Sequence, residues 1–142
     1  MVMATTNGTR AVHAARTAQA LLLGSLQNAR AVAEKAALLG EEVTLVCAGK
    51  EGEMGLDDLY TAGVIGRRLM ELGFRAEGET AHLALFLAEN DPLAVLQASE
   101  AAKALDRVGL GEDVVLCAQV DVHKAVPVRT GYRDGGVVFG RG

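Results

Sequence analysis

The stretch EVTLVCAGKEGEMGLDDLYTAGVIGRRLMELG, residues 42–73, decides the predicted fold of this chain. Its first part, residues 42–49, is a short apolar run that ends in glycine, as a buried strand does. From residue 56 to residue 72, apolar residues and glycines recur at steps of three and four, which predicts a helix with one packing face. Gly63 and Gly66 lie on that face, so we expect a neighbouring element to approach closely there.

The rest of the chain continues this alternation of strands and helices. We predict further strands at residues 20–25 and 113–120, and an edge hairpin in the tail, residues 121–142. Further helices are predicted at residues 9–18, 28–40, 79–90 and 92–108, with Pro92 at the start of the last one. The pattern predicts a single α/β domain over residues 1–142, layered, with helices covering a mixed, mostly buried sheet.

Composition excludes several classes of protein. Half of the 142 residues are apolar and 23% are charged, which predicts a globular domain with a sizeable core. No apolar run reaches the roughly 18 residues of a membrane span, and the first residues do not resemble a signal peptide, so we expect a cytoplasmic protein without a membrane partner. Cys47 and Cys117 are far apart and have no CxxC or histidine companions, which predicts two buried thiols and no zinc site or disulfide.

Charge is distributed unevenly around a net value of −4. Residues 1–40 carry four basic side chains and a single acidic one, Glu34, whereas the remainder is acidic. The excess of basic side chains in residues 1–40 favours a small anionic ligand that binds near that part of the chain. Nucleic acid is not an expected partner, because it would need a broad basic face and usually aromatic platforms.

The segment ATTNGTR, residues 4–10, offers the donors that an anion needs. If a strand ends near Ala4 and a helix begins near Thr9, free N–H groups and the helix dipole converge between them. The candidate anion-binding residues are Thr5, Thr6, Asn7, Gly8, Thr9 and Arg10. A helix cap followed by a solvated arginine explains the same residues equally well. The segment is neither a Walker A motif nor a dinucleotide fingerprint, so a nucleotide is not the expected ligand.

A second candidate site lies in CAGKEGEMGLDD, residues 47–58. Gly49 follows a predicted strand, where ligands of open α/β sheets bind, and is a candidate substrate contact. Asp57 and Asp58 open the next helix and could hold Mg²⁺, which needs only one or two protein carboxylates. Acidic residues in a first helical turn are also favoured by the helix dipole, by about 0.3–1 kcal/mol, so the pair alone does not establish a metal site.

Three further residues are weaker candidates. His13 could protonate a leaving group, although a solvated surface histidine is the commoner case. Asn28 could contact a ligand, although a helix cap is the commoner role at such a junction. Asp121 follows the third predicted strand and is expected to face the same edge as the two candidate sites.

Four segments of the chain, in order, resemble the 2-phosphosulfolactate phosphatase family, the ComB-like proteins. They read ATTNGTRAV, GSLQNARAVA, VTLVCAGKEGEMGLDDLYTAG and EDVVLCAQVDVHKAVP. The resemblance covers essentially the whole chain. It implies an α/β fold and a magnesium-dependent hydrolase that releases phosphate from (R)-2-phospho-3-sulfolactate, a step on a route to coenzyme M.

The resemblance also implies roles for individual residues. Residues 5–10 match the family's anion-binding loop, and Asn28 falls on its second short motif. Asp58 matches the acid of a Ser-Leu-Glu-Asp-like motif, in which Asp57 stands here for the glutamate. Arg10 and Asp58 are therefore the expected catalytic residues, with Asp57 and Asp58 as the Mg²⁺ ligands and a small phosphorylated anion as the substrate.

Family members carry a long N-terminal portion before the TTNGT motif that this sequence does not show. We therefore expect the chain to correspond to the C-terminal part of such an enzyme and to lack the family's N-terminal strands. A sheet without its first strands would expose edges, which predicts self-association. The alternative to a phosphatase is a noncatalytic anion-binding domain or an inactive partial enzyme. The phosphatase hypothesis requires the two candidate sites to meet around one oxyanion.

Overall fold

The chain is a layered α/β fold in which helices predominate. The computed structural model describes residues 6–142, and of Thr6 it describes only the backbone. Seven helices occur in this range: α1 (Thr6–Ala14), α2 (Ala29–Leu39), α3 (Leu56–Glu71), α4 (Glu79–Leu87), α5 (Pro92–Ala98), α6 (Glu100–Arg107) and α7 (Glu112–Cys117). They are followed by two antiparallel strands, β1 (Pro127–Arg133) and β2 (Gly136–Arg141).

Helix α3 is the central element, because α2, α4 and α5 all pack against it. Its buried residues include Tyr60, whose side chain is 1% exposed and whose hydroxyl donates a 2.8 Å hydrogen bond to the carbonyl of Asn90. Gly63 lies where α4 crosses, and a Cβ at this position would collide with the carbonyl oxygen of Ala84. The predicted helix and the predicted close approach at Gly63 are therefore both confirmed.

The closing hairpin is also confirmed. Asp134 and Gly135 join β1 to β2, and both have positive φ, of 50° and 77°, as the two central residues of a type I′ turn require. On its other side β1 makes a single bridge, between Val128 and Leu22. The sheet that the structure describes is thus a small antiparallel pair rather than the mixed, mostly buried sheet expected from the sequence.

The three predicted strands before the hairpin are not strands within residues 6–142. Residues 20–25 contribute only the bridge of Leu22 to β1, and residues 42–49 form no strand. A segment becomes a strand only when a neighbouring strand pairs with it over several residues, and among the described residues β1 pairs with residues 20–25 only around Leu22, while no strand pairs with residues 42–48.

Residues 113–120 were predicted as a strand, and this prediction is wrong. Helix α7 occupies Glu112–Cys117, with Val114 buried and Val115 and Leu116 more than half exposed. A short apolar run does not distinguish a strand from a short helix by its pattern alone. Glu112 and Asp113 in the first turn are favourable to the helix through its dipole.

Helix boundaries differ from the predictions in three places. Helix α1 begins at Thr6 and ends at Ala14, earlier at both ends than predicted. Helix α2 follows a 3-10 turn at Leu26–Asn28 and ends before Gly40, as expected. The predicted helix at residues 92–108 is two helices, because the side chain of Ser99 accepts a hydrogen bond from the N–H of Ala102 and caps α6.

Two further predictions concern the cysteines and membrane-spanning helices. Both cysteines are free, but the prediction of two buried thiols is wrong, because Cys47 is half-buried and Cys117 is exposed. Across residues 6–142, no helix has the length and apolar character needed to cross a bilayer.

Candidate functional site

Asp57 and Asp58 lie in the first turn of α3, directly after the N-cap residue Gly55 and Leu56. The Oδ2 atom of Asp58 accepts a 2.7 Å hydrogen bond from the backbone N–H of Gly49. The loop at residues 49–55 is therefore closed onto the start of the helix by the carboxylate that the sequence singles out.

The carboxylates of Asp57 and Asp58 both lie close to Gly55. A Cβ placed on Gly55 would lie 2.9 Å from Oδ1 of Asp57 and 3.2 Å from Oδ2 of Asp58. Gly55 has φ −81° and ψ 135°, a conformation open to any residue, so backbone strain does not explain glycine here. The missing side chain leaves a small concavity with an oxygen from each aspartate on its rim.

The loop before α3 depends on left-handed backbone. Gly49, Glu51 and Gly52 have φ of 65°, 53° and 90°. Lys50 and Glu53 exchange backbone hydrogen bonds of 3.0 and 2.9 Å, which closes a tight turn. A Cβ on Gly49 would lie 2.5 Å from the carbonyl oxygen of Glu53. Gly49 is therefore required by the turn, and its N–H is already used by Asp58.

The electrostatics around this loop favour a cation. Burial raises the pKa of Asp58, the Gly49 N–H opposes that rise, and the neighbouring charge of Asp57 adds to it. Burial also raises the pKa of the Cys47 thiol, with further contributions from Asp58 and then Asp57. Burial disfavours a charge of either sign, but the contributions of Asp57 and Asp58 to these pKa values come from their negative charge, with which a bound cation would interact favourably.

The segment at residues 4–10 contacts the loop at residues 49–55 through Asn7. The side-chain Oδ1 of Asn7 accepts a hydrogen bond of 3.4 Å from the backbone N–H of Glu51. Gly8 and Asp58 both line one cavity of about 850 Å³, which we call the front cavity. Its other lining residues come from α1, α2, α3 and the segments without helix at residues 17–24 and 40–48. The two candidate sites therefore meet, although they are far apart in the sequence.

The form of the opening segment differs from the prediction. Asn7, Gly8, Thr9 and Arg10 belong to α1 and not to a loop that precedes it. Thr5, the side chain of Thr6 and the strand predicted to end near Ala4 lie outside the described residues. The face of α1 that lines the front cavity carries Gly8, Ala11 and Val12, and Ala15, directly after the helix, lines it too. Any anion bound at the start of α1 would thus meet the first turn of a helix.

Arg10 and Asn28 do not line the front cavity. Arg10 is exposed, on a part of α1 away from its cavity-lining face. Asn28 is buried, and its side chain accepts hydrogen bonds from the N–H and hydroxyl of Ser25 and donates to the carbonyls of Leu23 and Ala125. These contacts give Asn28 a structural role: it occupies the N-cap position of α2, but its side chain holds the neighbouring segments and does not cap that helix.

Asp121 lies in a different cluster from the paired aspartates. It accepts a 2.7 Å hydrogen bond from the backbone N–H of Arg30, which caps α2. Its Oδ2 is also 2.7 Å from the Nη2 atom of Arg68, which pairs with Glu71 as well. The expectation that Asp121 shares an edge with the candidate sites is replaced by this role in joining α2, α3 and the segment after α7.

Two residues near the site were not identified from the sequence. These are Gly55 and Thr61, which no motif in the sequence singles out. Thr61 lines the front cavity, and its hydroxyl donates a 2.8 Å hydrogen bond to the backbone carbonyl of Asp57. The spacing from Asp58 to Thr61, three residues along α3, would have placed both on one face of the helix.

The residues present fit a hard cation that keeps most of its own water. Among residues 6–142, no group of three or more His, Cys, Asp or Glu side chains is placed to hold a metal ion. Asp57 and Asp58 alone supply carboxylate oxygens at the Gly55 concavity. One or two carboxylates with water and phosphate oxygens are the usual protein-side ligands of Mg²⁺.

Comparison with known proteins gives the family of the chain. The model of the 2-phosphosulpholactate phosphatase family matches residues 1–131. The chain belongs to this family. The expectation from the sequence motifs is thereby confirmed.

Relatives of the chain are also named for this activity. A "Probable 2-phosphosulfolactate phosphatase" of Thermus thermophilus is 52% identical over 99% of this chain and 61% of its own length. The protein of the same name from Deinococcus radiodurans is 44% identical over 89% of this chain and 55% of its own length. The chain thus spans little more than half the length of these relatives.

Proposed function

We propose that the chain carries the metal- and anion-binding part of a phosphomonoester hydrolase. The proposed reaction is the magnesium-dependent hydrolysis of (R)-2-phospho-3-sulfolactate to sulfolactate and phosphate, on a route to coenzyme M. Membership of the 2-phosphosulpholactate phosphatase family supports the reaction class. The observation that carries the proposal is the hydrogen bond from the Glu51 N–H to Asn7, together with the presence of Gly8 and Asp58 in the wall of one cavity.

In this proposal Asp57 and Asp58 would hold Mg²⁺ at the Gly55 concavity. When bound, the ion would supply positive charge for the phosphate oxygens and lower the pKa of a coordinated water. The Gly49 N–H orients Asp58 toward its site, because it fixes Oδ2 at 2.7 Å. Burial first, and the charge of Asp57 to a smaller extent, raise the pKa of Asp58, and a bound ion would favour its ionised form.

The start of α1 would bind the phosphate. The first turn of a helix presents N–H groups without intrahelical acceptors, and its dipole favours negative charge. The substrate contacts proposed here are Thr5, Thr6, Asn7, Gly8, Thr9 and Gly49, with Asn28 supporting the segment before α2. Among residues 6–142, no side-chain hydrogen bond or ion pair involves the Arg10 guanidinium, which is exposed and could contact a bound anion from the solvent side.

A second candidate function is a noncatalytic anion-binding domain. The observation in its favour is that the chain covers 61% of the Thermus thermophilus relative, so groups needed for turnover could lie in the remainder. In either case the proposed setting is the cytoplasm, the proposed ligand is a small phosphorylated anion, and nucleic acid is not a proposed partner. Self-association of the chain into a homo-oligomer is also proposed.

Phosphate release from (R)-2-phospho-3-sulfolactate, measured with Mg²⁺ and with EDTA, tests the enzyme proposal. We expect release that depends on Mg²⁺ and falls at least 100-fold in Asp58→Asn. The matched control is Asp113→Asn, because Asp113 is also an acid in a helical first turn but is exposed and lies on α7. Phosphate binding without turnover would support the noncatalytic domain instead. Release that is equal in EDTA would contradict the role proposed for Mg²⁺.

A further inference from the structure

A group of hydrogen bonds beyond the C-terminal end of α1 has no part in the proposed function. The guanidinium of Arg129, on β1, donates from Nη1 to the carbonyl of Arg16 at 2.6 Å, and from Nη2 to the carbonyls of Ala18 and Gln19 at 2.8 and 3.0 Å. The hydroxyl of Tyr132, also on β1, donates to the same Arg16 carbonyl at 2.6 Å. The Arg129–Tyr132 pair thus holds the segment that follows α1 against the hairpin.

Both Nη atoms of Arg129 are engaged by the chain itself. Nη1 also donates to the hydroxyl oxygen of Tyr132, at 3.2 Å. The four N–H groups on the two Nη atoms therefore face four acceptors, which are this hydroxyl and the three carbonyls. The guanidinium carbon also lies 5.8 Å from the centroid of the Tyr132 ring. Arg129 could not present both Nη atoms to an anion without losing these bonds, so its role is to hold the backbone.

Further hydrogen bonds continue from this segment into the last turn of α1. The backbone N–H and the Nη1 atom of Arg16 both donate to the carbonyl of His13, at 3.3 and 2.8 Å. The N–H of Ala18 donates to the carbonyl of Ala15 at 3.1 Å. A helix rises about 1.5 Å per residue, so Asn7 lies roughly 9 Å along the axis from His13. Displacement of the last turn would therefore displace the first turn as well.

Helix α1 has little burial of its own to fix its position. None of its residues 7–14 is buried, whereas α2 and α3 contribute four and six buried residues. A helix of nine residues is marginal without tertiary contacts. At its N-terminal end, α1 meets the loop before α3 through the hydrogen bond from the Glu51 N–H to Asn7. Contacts at both ends of α1 thus matter for its placement.

We propose that Arg129 is a positioning residue, which sets the location of α1 and hence of the phosphate-binding groups in its first turn. The inference rests on the proposed function, which places the phosphate at the start of α1. Ala18 and Gln19, whose carbonyls Arg129 holds, line the front cavity together with Gly8 and Asp58. The planar fork of arginine reaches three separate carbonyls with two nitrogen atoms, whereas a lysine would bring only one nitrogen.

Phosphate affinity tests the proposal. The probe is inorganic phosphate with Mg²⁺, titrated calorimetrically into the chain. We expect Arg129→Lys to raise Kd at least about fivefold, because α1 keeps its phosphate-binding groups but not their placement. Arg133→Lys is the matched control and should leave Kd unchanged, since Arg133 also lies on β1 but is 85% exposed and pairs with neighbouring Asp134. Circular dichroism checks that both variants are folded at the temperature of the titration.

The amide resonance of Glu51 gives a second readout that needs no ligand. Its N–H donates to Asn7, at the opposite end of α1 from the Arg129–Tyr132 pair. We expect Arg129→Lys to shift this resonance in the direction in which Asn7→Ala shifts it, because both weaken the same bond. The amide of Gly49, which donates to α3 and not to α1, should keep its position. Tyr132→Phe removes one hydroxyl from a side chain that is already exposed, and should produce the same shift at smaller size.

Three results would contradict parts of this account in distinguishable ways. An unchanged Kd and an unshifted Glu51 resonance in Arg129→Lys would overturn the proposal, even if the thermal midpoint falls, because Arg129 would then only stabilise the hairpin. Equal rises in Kd in Arg129→Lys and Arg133→Lys would overturn it too, since the effect would not depend on the carbonyl contacts. A wild-type chain that binds no phosphate would contradict the proposed function instead, and the Glu51 resonance would then decide by itself whether Arg129 positions α1.

Discussion

The backbone N–H of Gly49 donates a 2.7 Å hydrogen bond to Oδ2 of Asp58, which ties the loop at residues 49–55 to the start of α3. Gly49 adopts a φ of 65° in this loop. Asp58 lines the front cavity, whose wall also includes Gly8 of α1. A left-handed glycine thus supplies the hydrogen bond that holds the Asp58 carboxylate at the candidate site.

Replacing Gly49 with alanine should destabilise the loop. The Cβ would lie 2.5 Å from the carbonyl oxygen of Glu53, and positive φ adds about 1 kcal/mol or more of strain for an L-residue. We expect a loss of roughly 2–3 kcal/mol in the free energy of unfolding, measured by urea denaturation. Gly52→Ala is the control, because its φ is 90° but a Cβ there has open space. Equal losses in the two variants would contradict a role for the Glu53 contact.

Asp58→Asn should stabilise the chain at neutral pH in the absence of metal. The folded-state pKa of Asp58 is raised above its ordinary value of 3.8, so the fold favours the protonated carboxyl. That contribution is present below pH 3.8 and is lost as the pH rises through the raised pKa, which leaves the ionised group unfavourable at pH 7. Asparagine removes the charge and still accepts the Gly49 hydrogen bond.

The measurement for Asp58→Asn is the thermal midpoint at pH 7 and at pH 3. We expect a higher Tm than the wild type at pH 7 and no difference at pH 3. Asp113→Asn on α7 serves as the control and should not gain stability at pH 7, since that acid is favourable to its helix dipole. A lower Tm for Asp58→Asn at both pH values would show that burial and the charge of Asp57 do not dominate the stability contribution of Asp58.

Mg²⁺ should raise the stability of the chain through the paired aspartates. A ligand that binds only the folded state contributes about 2.7 kcal/mol when its concentration is a hundred times Kd. Gly55→Ala should remove this gain, because its Cβ would lie 2.9 Å from Oδ1 of Asp57 and 3.2 Å from Oδ2 of Asp58. Thermal unfolding with and without Mg²⁺ measures the effect, with Gly66→Ala as the control. An undiminished gain in Gly55→Ala would place the ion elsewhere.

Gly63→Ala should separate α3 from α4. The added methyl group would collide with the carbonyl oxygen of Ala84, which cannot move without bending α4. We expect a loss of about 1–3 kcal/mol, measured by urea denaturation. Gly66→Ala should instead be neutral or stabilising by up to about 1 kcal/mol, because its nearest neighbour is a flexible leucine side chain at 3.4 Å. Similar losses at both glycines would contradict the close approach at Gly63.

The sequence by itself determined the elements whose signals are local. Helix α3 follows from apolar residues and glycines at steps of three and four, and its boundaries, Leu56–Glu71, are close to those predicted. The hairpin follows from turn residues between two short apolar runs. The motifs were also sufficient to indicate the 2-phosphosulpholactate phosphatase family and the two segments that form the candidate site.

Only the tertiary structure decided the features that depend on distant partners. The apolar pattern of residues 42–48 is typical of a strand. A strand also needs a second segment to pair with, and among the described residues no segment pairs with residues 42–48. Residues 113–120 show how a short apolar run can form a helix when its first turn is acidic. The contact between Asn7 and Glu51 joins positions 44 residues apart, and local chain propensities carry no information about such a distance.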